Sequence, residues 1–77
     1  MPGASMSSRL RLVQLVAVAD VGMVRVAYSA KLEEYVVRAM RPGGHLVAEY
    51  FTADEADALR TADALLAELA ERAGMPA

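Results

Sequence analysis

The chain reads as short apolar runs separated by turn residues and closed by one long stretch of helical period. Arg9 to Ala19 (RLRLVQLVAVA) opens with alternating Arg and Leu and then becomes nearly continuously apolar, the pattern of a strand covered on both faces. Asp20-Val21-Gly22 supplies a tight turn. Met23 to Ser29 then alternates, with Val24, Val26 and Tyr28 against Arg25, Ala27 and Ser29, which predicts a hairpin. His45 to Phe51 predicts a further strand, with Leu46, Ala48 and Tyr50 on one face and Val47 and Phe51 on the other.

Lys31 to Arg41 (KLEEYVVRAMR) supports two readings. Leu32, Tyr35, Val36, Ala39 and Met40 fall at the spacing of one helix face, and Glu34 and Arg38 would form an i,i+4 pair. Against a helix, Tyr35-Val36-Val37 is β-prone and Val37 would sit on the polar side. Pro42-Gly43-Gly44 suits either a hairpin turn or a helix stop. The strand is the reading adopted.

The last element is a helix from Thr52 to about Ala73. Thr52-Ala53-Asp54-Glu55 fits a capping box, Asp54, Glu55 and Asp57 suit the positive end of the helix dipole, and Gly74 and Pro76 end the run. Leu59, Ala62, Leu66, Leu69 and Ala73 form a narrow apolar stripe that leaves Leu65 outside. The expected fold is therefore α+β: a four-stranded antiparallel meander followed by one C-terminal helix packed on one face. Residues 1–8 (MPGASMSS) lack apolar area and are expected to be a disordered tail, with a single ββββα domain over residues 9–74.

One helix covers one sheet face, and both faces are apolar. The uncovered face, with candidates Val13, Leu15, Ala17, Met23, Val36, Met40, Val47 and Phe51, would remain wet in a single copy. A patch of that kind marks an interface, and a two-fold homodimer formed by face stacking or edge pairing is the expected solution. Were residues 31–40 helical, they would cover the second face and the chain would be a self-contained monomer.

Composition narrows the function classes. The 77 residues contain no cysteine, which excludes a disulfide framework, a zinc ribbon and a thiolate nucleophile. The longest apolar run, Leu15 to Ala19, is far short of the roughly 20 residues of a spanning helix, and residues 1–8 lack the pattern of a secretion signal, so a cytoplasmic setting without a membrane is expected. Sixteen alanines, seven Arg to one Lys and no Ile or Asn point to a high-GC genome.

The residues that could carry chemistry are few. Ser5, Ser7 and Ser8 lie in the tail, and Ser29 ends a strand without triad partners. His45 is the single histidine, with no convergent ligands in the pattern. Glu33 and Glu34 point to opposite sides of a strand, and Asp54 and Asp57 lack the loop glycine of a calcium site. No catalytic residue, metal site or cofactor is expected, and the chain reads as a non-enzymatic interaction protein. The other function class is a nucleic-acid binder or regulator. Arg9, Arg11, Arg25, Lys31, Arg38 and Arg41 all precede the helix, and residues 1–45 carry a net charge of +3 against −5 for residues 46–77.

Three stretches resemble known proteins. Arg41 to Val47 (RPGGHLV) resembles the helix–turn–strand segment of S-adenosylmethionine-dependent methyltransferases, without their glycine-rich cofactor loop, and implies only local chain reversal. Tyr35 to Leu69 resembles the arm-type DNA-binding domain of tyrosine recombinases, whose short sheet reads the major groove. Here Arg38, Arg41 and His45 are the only polar readers, amid Val36, Met40, Val47 and Phe51. The phrases Val24 to Ser29, Glu34 to Arg38 and Tyr50 to Ala58 resemble small uncharacterised proteins of actinobacterial phages. That resemblance implies a phage accessory protein that engages a host or phage protein.

Overall fold

A computed structural model describes residues 10–74, so the tail of residues 1–8 and Arg9 lie outside the described residues. Strands β1 (Leu10–Val18), β2 (Gly22–Ser29), β3 (Glu34–Arg41) and β4 (His45–Thr52) precede helix α1 (Glu55–Arg72). The strands form one antiparallel meander in the order β1-β2-β3-β4, and the helix packs against it.

The ambiguous segment is β3, hydrogen-bonded on both sides. Strand pairing puts Val37 beneath the helix at 0% exposure and sends Arg38 to the opposite face beside Glu49. A helix would have sent Val37 to the polar side. Entry to β3 is made by Ser29 and Glu33: the Glu33 N–H donates to the Ser29 carbonyl at 2.7 Å, and the Leu32 N–H donates to the Ser29 hydroxyl oxygen at 3.2 Å. At the other end, Gly43 and Gly44 take φ of 96° and 88°, a conformation most side chains disfavour, and the Gly44 N–H closes the turn onto the Arg41 carbonyl.

Two β-bulges alter the faces expected from alternation. Val13 interrupts the pairing of β1 with β2, and an extra residue at Val47 interrupts that of β4 with β3. Beyond the extra residue, the in–out order of the strand is reversed. Leu46 and Phe51 consequently share the face away from the helix, while Ala48 and Tyr50 lie on the helix side with Val37 and Ala39. Sequence alternation places Leu46 with Ala48 and Tyr50, and Val47 with Phe51; the bulge overturns both assignments. Val13 and Val47 pack against the helix-side core, so they are withdrawn from the uncovered face.

That core is built from Val24 and Val26 of β2, Val37 and Ala39 of β3, and Val21 of the first turn, closed by Ala58, Ala62 and Leu69. Alanines on the helix let its backbone approach the valines closely. Leu65 belongs to this contact as well, with Leu59, Leu66 and Ala70 around it, so the stripe is wider than the spacing of Leu59, Ala62, Leu66 and Leu69 suggests.

The helix start also differs from the capping-box expectation. Thr52 ends β4, and Asp54 is the N-cap, its carboxylate accepting from the Ala56 N–H at 3.1 Å. Thr52 accepts from the Asp54 N–H instead, which shapes the strand-to-helix turn. The helix end agrees with expectation at Gly74, where the Ala73 N–H donates to the Leu69 carbonyl and Gly74 comes next at φ 79°; Pro76 lies outside the described residues.

β4 and α1 are tied by a hydrogen bond of 2.7 Å from the Tyr50 hydroxyl to the Asp57 carboxylate. This bond, with the Thr52 hydroxyl acting in the same direction, holds the Asp57 carboxyl below its ordinary 3.8. The Tyr50 hydroxyl is held above its ordinary 10.0, chiefly by the same bond and by the Asp57 charge. A lowered carboxyl pKa contributes stability that is present above the unfolded value and lost as pH falls through the folded one. The raised phenol contributes stability that is present below its unfolded value and lost as pH rises through the folded one. Asp57→Asn and Tyr50→Phe are therefore each expected to flatten both the acid and the alkaline limb of a stability–pH profile measured by urea unfolding. Identical slopes in wild type and both variants would show that the bond does not form in solution.

Candidate interaction surface

The sheet face away from the helix is organised in rows that run across the strands. Leu12, Ala27, Val36 and Phe51 form one apolar row, and Ala17, Met23, Met40 and Leu46 form another. Between them runs Leu15, Arg25, Arg38 and Glu49. Arg25 and Arg38 are directly opposite one another, a repulsive pairing in a sheet. The Glu49 carboxylate relieves it from the other side, accepting from Arg38 Nε at 2.7 Å, with both side chains partly exposed. An ion pair in that setting contributes less than about 1 kcal/mol.

Of the residues expected on the uncovered face, the structure places Leu15, Met23, Val36, Met40 and Phe51 there, together with Ala17. They are not equally open. Ala27 and Val36 at the centre are each 6% exposed, whereas the edge strands carry the exposed apolar side chains: Leu12 at 57% and Leu15 at 49% on β1, Leu46 at 54% and Phe51 at 45% on β4. Sequence reasoning does not single out Leu10, Leu12 or Leu46 for this face. Alternation of Leu10 and Leu12 with Arg9 and Arg11 carries the signal for the first two, while the bulge at Val47 hides the third.

β1 is the strand the helix covers least. α1 packs mainly on β2, β3 and β4, and of β1 Val13 packs against the core beneath it. No residue of β1 is buried, although it is apolar on both faces. Leu10, Leu12 and Leu15 are exposed on one side and Val18 on the other.

The basic side chains are divided. Arg25 and Arg38 adjoin on the open face, but Arg11 is on the helix side, its guanidinium 5.5 Å from the centre of the Tyr28 ring. Tyr28 in turn meets Tyr35 edge-on at 4.9 Å. The Tyr35 hydroxyl is pushed above 10.0, by burial first and by the Glu55 charge second. Lys31 lies in the β2–β3 turn and Arg41 at the far end of β3, so strand length separates them.

His45 lies at that far end, beside Gly43, and lines an open hollow of about 620 Å³ with Asp20, Arg41, Pro42, Leu69 and Arg72. No group of three or more His, Cys, Asp or Glu side chains among the described residues could hold a metal ion. The Ser29 hydroxyl is engaged in its turn. Among the described residues no helix is long and apolar enough to cross a membrane.

No protein-family model, no curated protein and no solved structure matches the chain.

Proposed function

We propose that this protein is a non-enzymatic, self-associating interaction module whose partner in the first instance is a second copy of itself. The observation that carries this reading is β1: an apolar strand with no buried residue, in a small domain whose single helix packs mainly on the other three strands. Contiguous exposed apolar surface of that kind is uncommon in monomers and marks an interface. A net charge of −2 imposes little mutual repulsion on two copies. In the phage-accessory reading suggested by the sequence resemblance, the dimer would present its remaining surface to a host or phage protein in the cytoplasm.

Light scattering tests the proposal. A species of about twice the chain mass of 8.2 kDa is expected at micromolar concentration, dissociating on dilution. A strictly monomeric mass at high micromolar concentration would remove the reading.

The adjoining Arg25 and Arg38 favour a second reading, in which the open face binds nucleic acid. That reading requires a gel shift with duplex or single-stranded DNA that weakens steeply between two salt concentrations, because phosphate neutralisation releases counterions. Absence of a shift at low salt excludes it.

A further inference from the structure

We infer that the two copies join through β1, antiparallel, with Gln14–Val18 of one copy paired to the same segment of the other about a two-fold axis at Val16. The two four-stranded sheets then become one continuous sheet with both helices on the same side. This inference rests on the self-association reading and specifies its geometry.

Comparison of the two sheet edges selects β1. β4 is protected: α1 packs over it, and it carries His45 and Glu49. Natural edge strands are blunted by such devices. β1 has nine residues, contains no Pro, Lys or acidic side chain, and is uncharged from Leu12 to Val18. Among the described residues no strand pairs with its outer edge, the requirement for strand addition.

The charged row argues against face stacking as the main contact. Stacking two open faces would take Arg25, Arg38 and Glu49 out of water, and desolvating charges costs more than a partly exposed ion pair returns. Edge pairing leaves all three solvated.

Register is set by the bulge at Val13. In a sheet continuous across the two-fold axis, directly opposite residues must lie on the same face. The bulge puts the two halves of β1 out of phase, with Leu10 and Leu12 on the open side before it and Leu15 and Ala17 on that side after it. Pairing centred on Val16 sets Leu15 against Ala17 of the other copy on the open side, and Gln14 against Val18 on the helix side. A register centred before the bulge, on Arg11, matches faces only over Leu10–Leu12, and one centred on the bulge would set the two disrupted ladders against each other. Gln14–Val18 is the longest stretch free of the bulge that pairs with itself in phase.

The absence of cysteine makes single-thiol probes clean. Val16→Cys and Phe51→Cys are purified reduced, sized by light scattering, and treated with a short bifunctional maleimide. Val16→Cys is expected to shift largely to a covalent dimer on a denaturing gel, and Phe51→Cys to remain largely monomeric. Should Val16→Cys not self-associate, an equimolar mixture of Gln14→Cys and Val18→Cys, neighbours across the proposed join, is expected to crosslink in its place. Efficient linkage at Phe51, or none at any β1 position in a wild-type protein that is dimeric, overturns β1 pairing and leaves self-association standing. A monomeric wild type overturns the self-association reading itself.

Discussion

Leu69→Ala is expected to cost about 3 kcal/mol, a value typical of a buried leucine truncated to alanine. Leu69 is 3% exposed and is the one side chain larger than valine among the buried core residues described; the rest of that core is valine and alanine. The valines and alanines that share the core with it are too short to fill the space, so the lost methylenes leave a gap. A domain of this size has only about 5 kcal/mol of total stability, and the variant is expected to be close to unfolding. Urea unfolding at fixed protein concentration checks this, with Leu66→Ala, which removes a partly buried leucine, as the milder comparison. Equal midpoints for Leu69→Ala and wild type would mean that the helix end does not pack on the first turn as described.

Gly22→Ala has the second large effect, for a different reason. Gly22 begins β2 at φ 137°, and a Cβ there would sit 2.3 Å from the Met40 carbonyl oxygen and 3.2 Å from Leu69 Cδ1. The leucine tip can move, but the carbonyl belongs to the β2–β3 ladder and cannot yield without breaking it. Backbone strain of this kind costs about 1–3 kcal/mol before the clash is counted. Gly44→Ala is the control, since Gly44 has φ 88° with nothing within 4 Å of the added carbon. It should lose only the roughly 1–2 kcal/mol of the left-handed conformation. A larger loss of thermal midpoint for Gly22→Ala than for Gly44→Ala is expected; the reverse order would rule out the close approach of β2 to Met40.

The candidate surface is legible in part from the sequence, and the misses share one cause. Alternation assigns Leu15, Met23, Val36, Met40 and Phe51 to the uncovered face, and the structure puts them there. It assigns Val13 and Val47 to the same face, yet both pack against the core, because each sits at a bulge. A bulge is a property of two paired strands and has no mark in the local pattern of one. The helix start shows a smaller version of the same limit. Thr52 and Asp54 both carry capping oxygens, and only the length of β4 decides which residue lies first beyond the sheet.

Apolar runs with Gly- and Pro-containing turns, ahead of one capped run of helical period, determined three strands and the terminal helix, while the run at residues 31–41 fitted either element until pairing with β2 and β4 made it a strand. Side-chain spacing and turn conformation are local quantities, readable one segment at a time. Which strand the helix leaves bare was decided only in three dimensions. The helix settles where the alanines at 58 and 62 meet Val24, Val26 and Val37, above the middle of the sheet, and its width reaches as far as β4 on one side. β1 is as apolar as the strands that are covered, and it stays exposed because a single helix cannot span all four.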